Sequence, residues 1–264
     1  MNSVQLPSGT GKEPVVITRV ADTQWHAIED DRAVGHGDTS RRPDGRIFLA
    51  IDSWQAAVFD QLADAMLTEL TTPLYTVVDE ADRELTSSWQ RAGFTTRRRE
   101  WEYLVPTDPH LTGLESVLPP GGVTIVPAGE ASDGPLRELD RAIRDEVEAT
   151  LGWQAMPAEV LVRPGHNLLD PLKYVVAAES EHYVGLVRVV AVTRQPRIGL
   201  IAVRAEQHRR GIARARLAHV LDSLHRSCIE TASTEVNESN GPALALFEGI
   251  GARRVSSNLE LVRR

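Results

Sequence analysis

The chain has few cysteines, few aromatic residues and no long apolar runs. Its 264 residues include one cysteine, and aromatic residues make up 5% of the chain. A single cysteine, Cys228, excludes an internal disulfide and a zinc site built from cysteine thiolates. No apolar run approaches the roughly 20 residues that a membrane-spanning helix requires. The N-terminal residues also lack the apolar core of a signal peptide, so the sequence predicts a cytoplasmic protein.

The chain also has fewer basic than acidic residues. Lys and Arg number 29 against 37 Asp and Glu, which gives a formal net charge of −8. An acidic chain is a poor candidate for general attraction to nucleic acid or anionic lipid. The hydrophobic share of 42% and the charged share of 25% are those of an ordinary globular protein. At roughly 150 residues per domain, the length predicts about two domains.

Two segments rich in glycine and proline divide the chain. Residues 1–14 are predicted to be a disordered tail, and residues 106–122 are predicted to be a linker. The linker separates an N-terminal domain, residues 15–105, from a C-terminal domain, residues 123–264. Strand and helix patterns follow one another in both, so we expect an α/β fold with a mixed sheet in each domain.

An internal repeat relates the two domains. The pattern V-x3-N-x2-A-x3-F-x3-G is formed by Val236, Asn240, Ala243, Phe247 and Gly251. A similar register recurs in the first domain at Val78, Asp82, Leu85, Trp89 and Gly93. Each copy reads as a strand, a polar helix start, an amphipathic helix and a glycine at the helix end. The repeat indicates a duplicated unit.

The first copy lacks two parts of the second. In the second copy, a glycine-containing loop at residues 204–211 joins the strand at 198–203 to the next helix. In the first copy only residues 52–54 stand at that position, and no helix corresponds to residues 135–151. The first domain is therefore predicted to be reduced and to bind no ligand of the second.

The loop before the helix at 212–227 has the composition of an anion site. Gly211 and the small Ala213 allow backbone N–H groups at a helix N-terminus to surround phosphate oxygens. Three arginines add cationic side chains suited to a polyphosphate, namely Arg209, Arg210 and Arg214. The patterns G-x-G-x-x-G and G-x4-G-K-[ST] are absent, which disfavours dinucleotides and nucleoside triphosphates.

This region resembles the GNAT superfamily of acetyl-CoA-dependent N-acetyltransferases. The loop of that family is [QR]-x-x-G-x-[GA], and this chain has His208-Arg209-Arg210-Gly211-Ile212-Ala213, with His in place of Gln or Arg. The repeat block containing Asn240 and Phe247 is similar to the part of the family that flanks the pantetheine arm. The resemblance covers residues 123–264 in full and residues 15–105 in reduced form.

The resemblance implies that acetyl-CoA is a co-substrate and that it lies between two diverging strands. One backbone N–H, from Ile201 or Ala202, is expected to stabilise the oxyanion of the thioester. The residues implied to bind the cofactor are Ile201, Ala202, Val203, His208, Arg209, Arg210, Gly211, Ile212, Ala213, Arg214, Asn240 and Phe247.

The catalytic acid and base are less clearly marked. At the positions where the family often has Glu and Tyr, this chain has Arg197 and Phe247. An alkyl ammonium, with a pKa of about 10.4, must lose a proton before it attacks. Glu235 is the expected base, acting through ordered water. Other candidates stay open, namely Glu179, Glu181, His182 and Asp170.

These features predict an N-acetyltransferase that acts on a primary amine of a small molecule, an aminoglycoside-like compound or another amine-bearing metabolite. The amine is expected to enter beside Trp153 and the helix at 135–151. An alternative is a non-catalytic acyl-CoA-binding module with a regulatory or structural role. No metal, nucleic acid or membrane partner is expected, and a homodimer is left open.

Overall fold

The computed structural model describes residues 14–42, 44–150, 152, 169–190 and 195–264. Residues 1–13 of the predicted tail and Trp153 lie outside the described residues. By its contacts the chain divides into two compact units. Unit 1 holds the residues up to Val78 together with Asp82–Arg97 and Glu260–Arg264, and unit 2 holds Asp79–Ala81 and Arg98–Leu259.

Unit 1 begins with an antiparallel meander that passes into a strand–helix–strand motif. Its elements are β1 (Val16–Ala21), β2 (Gln24–Glu29), β3 (Arg32–Arg41), β4 (Ile47–Ser53), α1 (Ala56–Glu69), β5 (Leu74–Asp79) and α2 (Arg83–Arg91). Strand β4 pairs with β3 in antiparallel fashion and with β5 in parallel fashion. The helix α1 buries one face through Val58, Phe59, Leu62, Ala63 and Met66, at the spacing of an amphipathic helix.

The repeat predicts the ends of α2 correctly. The Asp82 carboxylate accepts a hydrogen bond from the Leu85 N–H at 2.9 Å, so it caps the first turn of α2. Gly93 has φ +88°, a left-handed conformation that favours glycine after a helix. Trp89, from the same register, is buried against Phe59 and Phe94. The repeated residues of this copy therefore build a helix and a core.

Unit 2 contains the elements expected of the second copy. They are β7 (Val123–Val126), α4 (Asp133–Thr150), β8 (Tyr174–Glu179), β9 (His182–Val190), β10 (Arg197–Val203), α5 (Ile212–Arg226), β11 (Thr231–Asn237), α6 (Gly241–Glu248) and β12 (Arg253–Arg263), whose residues from Glu260 onward are assigned to unit 1. Two elements stand before them, β6 (Thr95–Pro106) and the short helix α3 (Pro109–Thr112). The strand order is β12-β6-β11-β10-β9-β8-β7.

Helices cover both faces of this sheet. On one face α5 and α6 pack on the sheet through a cluster that includes Leu217, Phe247 and Val187. On the other face α4 packs through Leu136 against Leu186. Because neighbouring residues of a strand point to opposite faces, Leu186 and Val187 identify the two sides.

Strand β6 is the main departure from the domain boundaries expected from the sequence. Those boundaries place it in the first domain, whereas contacts assign Arg98–Pro106 to unit 2. It pairs with β11 over seven residue pairs, from Pro106↔Thr231 to Glu100↔Asn237. The expected linker also packs within unit 2, because Leu114 is buried in its core. Composition marked a change along the chain, but strand pairing decides which unit a segment joins.

Candidate functional site

Strands β10 and β11 pair at one end and separate at the other. Their parallel register contains Arg197↔Ser233 and Ile198↔Thr234, and these are the pairs formed within the described residues. On its other edge β10 stays paired with β9 as far as Val203↔Gly185. A register shift between Ile198 and Leu200 marks the point of divergence. The result is a V-shaped gap between residues 199–203 of β10 and residues 235–237 of β11.

The backbone of β10 presents alternate peptide groups to this gap. The Arg204 N–H donates to the Val184 carbonyl of β9 at 2.9 Å. Since peptide groups of an antiparallel strand alternate between its two edges, Ala202 also faces β9, and Ile201 and Val203 face the V-shaped gap. Of the two oxyanion donors expected from the sequence, the geometry favours Ile201. Ala202 belongs to the β9 ladder, so its N–H points away from the gap.

The loop after β10 has two residues in left-handed conformations. A 3-10 turn, Ala205–Gln207, is followed by Arg209 at φ +61° and Gly211 at φ +86°. Gly211 is the residue before α5, and no side chain caps the first turn of this helix among the described residues. Such a turn directs successive backbone N–H groups into a concavity that suits an anion.

His208 and Glu146 hold this loop in place. The Nε2 atom of His208 lies 2.8 Å from the Val203 carbonyl oxygen, so the imidazole closes the loop on the end of β10. The Glu146 carboxylate of α4 accepts hydrogen bonds from Arg204 Nε at 2.6 Å and from the Ala205 N–H at 2.8 Å. The hydrogen bond with Glu146 raises the pKa of Arg204. No sequence pattern marks this role of Glu146, because a carboxylate on a helix face resembles ordinary surface charge.

The arginines of the loop and of the first turns of α5 differ in their surroundings. Arg209 has no side-chain partner in the described part of the chain. Arg210 donates to the Glu179 carboxylate at 2.7 Å, which raises the pKa of Arg210 and lowers that of Glu179. Arg214 makes one long contact, 3.4 Å, with the Gly113 carbonyl. Arg216, two residues further along α5, is fully buried.

The expected base lies on the α4 face of the sheet. Val236 packs on the opposite face with α5 and α6, so its neighbour Glu235 points toward the side of α4. The Glu235 carboxylate accepts a hydrogen bond from Arg197 Nη2 at 2.5 Å. Arg197 stands where the resemblance implies a glutamate, and it is the partner of a glutamate on the next strand. The site thus holds a carboxylate, but one engaged by a guanidinium.

The other acid–base candidates lie away from the V-shaped gap. Glu179, Glu181 and His182 line a cavity of about 530 Å³ beside the β8–β9 turn. No β11 residue lines this cavity, so it is separate from the gap. Asp170 caps the 3-10 turn Pro171–Lys173 by accepting from the Leu172 N–H at 3.2 Å. Within the described residues, no group of three His, Cys, Asp or Glu is arranged to hold a metal ion.

Asn240 and Phe247 have structural contacts in α6. The Asn240 side-chain oxygen accepts from the Ala243 N–H at 3.2 Å and caps the helix. The Phe247 ring is 3% exposed and stacks on Tyr103, with 6.3 Å between ring centroids. A phenyl ring has no proton to donate to a leaving thiolate, so Phe247 cannot act as the tyrosine that the resemblance implies at this position.

Comparison with known proteins identifies this fold. Residues 154–261 match the Acetyltransferase (GNAT) domain. A stretch of 51 residues is 41% identical to the [Ribosomal protein bS18]-alanine N-acetyltransferase of Escherichia coli K12. This stretch is 19% of the chain and 34% of the relative, so the match spans about a third of that enzyme's length.

Two solved structures share the architecture at low sequence identity. A GCN5-related N-acetyltransferase from Sphaerobacter thermophilus has a TM-score of 0.60 and 17% identity, covering 93% of this chain and 82% of that one. A tandem GNAT protein from the clavulanic acid biosynthesis pathway has a TM-score of 0.64 and 14% identity, covering 91% and 82%. The chain therefore shares the fold of these two structures. The C-terminal part of the chain is similar to the GNAT acetyltransferase domain over residues 154–261.

In the part of the chain that the structure describes, no helix is both long and apolar enough to cross a membrane.

Proposed function

We propose that this chain transfers the acetyl group of acetyl-CoA to a primary amine of a small molecule. The observation that carries the proposal is the V-shaped gap, which leads directly to the left-handed turn at Gly211. A gap with unpaired strand edges suits an extended ligand with amide groups, and the turn suits its phosphates. The two features therefore fit the pantetheine and pyrophosphate parts of one molecule.

Each part of the site has a distinct role in this reaction. The first turn of α5 and Arg209 bind the phosphates, and the Val203 peptide group and the Ile201 carbonyl pair with the pantetheine amides. The amine nitrogen forms a bond to the thioester carbon, and the Ile201 N–H stabilises the negative oxygen that results. The C–S bond then breaks, which releases the amide and the CoA thiol. A proton leaves the amine and a proton reaches the thiolate.

Glu235 is the residue that we propose to accept the proton of the amine through ordered water. It lies on the α4 side of the sheet, at the strand that borders the gap. Arg197 fixes the orientation of its carboxylate. A carboxylate held in one orientation can bind and polarise a water molecule without the entropy cost of ordering its side chain.

A non-catalytic acyl-CoA-binding module is the second candidate. Two observations favour it, the ion pair that engages Glu235 and the buried phenyl ring of Phe247 in place of a proton donor. Both candidate functions require the cofactor site, but only the acetyltransferase turns over substrate. One series of experiments therefore distinguishes them.

The test is native mass spectrometry for bound CoA, followed by a thiol-release assay on a panel of amines. The panel should include aminoglycosides, simple diamines and a peptide with an N-terminal alanine, because the curated relative is named for that residue. Thiol release with a small amine supports the proposal. Thiol release with the peptide alone indicates that the acceptor is a protein and not a small molecule. Bound CoA with no release on any amine indicates the module, and no bound CoA refutes both.

Unit 1 is proposed to bind no acetyl-CoA. The strand β4 ends at Ser53 and α1 begins at Ala56, so no glycine-containing loop stands between them. The expected stoichiometry is one CoA per chain by calorimetry. Two equivalent sites would contradict this part of the proposal.

A further inference from the structure

The most unusual group in unit 2 is an arginine inside its core. Arg216 lies on α5 and has a relative exposure of 0%, the same as its apolar neighbour Leu217. Its Nη2 atom donates to the Ala202 carbonyl at 3.0 Å, and its Nε atom lies 3.5 Å from the Ile212 carbonyl. The Nη1 atom is buried with no hydrogen-bond partner among the described residues. No carboxylate pairs with this guanidinium in the same part of the chain.

The surrounding chain has a space that fits this side chain. A Cβ atom at Gly185 would lie 2.8 Å from both Cζ and Nη1 of Arg216, closer than real contacts allow. The absence of a side chain at Gly185 on β9 therefore admits the guanidinium beneath α5. Such a pairing of a glycine with a buried arginine indicates that the cation occupies a defined position.

A buried cation without a carboxylate costs free energy. Here the cost is greater because Arg216 lies near the N-terminus of α5, where the helix dipole is already positive. Burial lowers the pKa of Arg216 to about 9, which still leaves the side chain protonated at neutral pH. An anion at the first turn of α5 would offset both unfavourable effects.

We propose that Arg216 is a buried affinity residue for the phosphates of the acyl donor, acting through its charge without contacting them. This rests on the proposed function, because it assumes that phosphates bind at the first turn of α5. The guanidinium reaches back to the Ile212 carbonyl in that turn, so one or two helical turns, roughly 10 Å, separate it from a bound phosphate. At this distance, and with an effective dielectric constant of about 20, a unit charge changes affinity roughly tenfold.

The test compares three variants of the full chain with the wild type. Arg216→Met keeps an unbranched apolar stem and removes the charge. Arg216→Lys keeps the charge. Arg226→Met is the control, because Arg226 is on the same helix but exposed at its far end and paired with Asp222. Calorimetry measures the binding of CoA, of inorganic pyrophosphate and of pantetheine, which has no phosphate group.

Arg216→Met is expected to weaken the binding of CoA and of pyrophosphate roughly tenfold and to leave the affinity for pantetheine unchanged. It is also expected to raise the melting temperature of the protein without ligand. Arg226→Met is expected to change none of the affinities. A folded Arg216→Met variant with wild-type affinity for CoA would overturn the proposal, and so would an equal loss for pantetheine. If Arg216→Met does not fold, Arg216→Lys decides the question: CoA affinity within threefold of wild type supports the proposal, and a tenfold loss refutes it. Failure of the wild type to bind CoA overturns the proposed function itself, which is a separate result.

Discussion

Removing β6 is expected to prevent unit 2 from folding, although β6 precedes the C-terminal domain in the sequence. Tyr103 and Val105 of this strand have 0% exposure and belong to the core beneath α5 and α6. Full burial of one such side chain contributes about 1.5–3 kcal/mol, so the two contribute about 3–6 kcal/mol. The ladder with β11 adds hydrogen bonds that contribute about 1 kcal/mol each. The total is comparable to the 5–15 kcal/mol by which a typical domain is stable.

The assay compares two fragments, residues 98–264 and residues 123–264, by thermal unfolding and by CoA binding. The longer fragment is expected to unfold cooperatively and to bind CoA, and the shorter one to do neither. In the full chain, Val105→Ala is expected to lower the free energy of unfolding by about 2 kcal/mol. The matched control Val77→Ala removes the same atoms from a half-exposed strand position, with an effect within about 0.5 kcal/mol. A shorter fragment that melts like the longer one would refute the reasoning.

Three further predictions concern the site. Gly211→Glu should abolish CoA binding, because it places a carboxylate where phosphates bind and a side chain on a left-handed backbone. Calorimetry checks this, with Gly121→Glu as the exposed control. Glu235→Gln should lower kcat at least a hundredfold with unchanged CoA affinity, and steady-state kinetics with equal kcat would contradict its role as the base. The pKa of Glu179 is lowered from 4.5 by Arg210, so the stability that this pair contributes is present above pH 4.5 and is lost as the pH falls through the lower, folded value. As the pH is lowered below 4.5, the melting temperature of Glu179→Gln should therefore fall less than that of the wild type. Parallel curves of melting temperature against pH for the two proteins would contradict this.

Sequence patterns predicted the helices and strands of unit 2 closely. The helix expected at residues 212–227 is α5, Ile212–Arg226, and the strand expected at 198–203 is β10, Arg197–Val203. These elements are amphipathic or β-branched, and a glycine or a proline marks most of their ends, so local chemistry determines them. The separation of β10 from β11 was implied by the family resemblance alone, because no local pattern encodes how two strands diverge.

Interactions between distant residues were beyond this kind of prediction. The assignment of β6 to unit 2 depends on pairs such as Glu100↔Asn237, which no periodicity reveals. The sequence predicts that Arg209, Arg210 and Arg214 act together on one polyphosphate, and it shows no separate role for Arg216. In the structure the surroundings of these arginines differ. Arg210 pairs with Glu179 at the end of β8, and Arg216 lies on the face of α5 that is buried in the core.

The position of β6 also bears on how the protein folds during synthesis. Its partner β11 leaves the ribosome more than 120 residues later, since Pro106 pairs with Thr231. Contacts between residues so far apart in sequence close large loops, and folding slows as the share of such contacts rises. Until β11 is made, β6 has an unpaired edge and the apolar side chains of Tyr103 and Val105 without their core. Strand β6 therefore stays exposed in the nascent chain until β11 is synthesised. We expect the denatured protein to refold slowly, with a yield that depends on protein concentration.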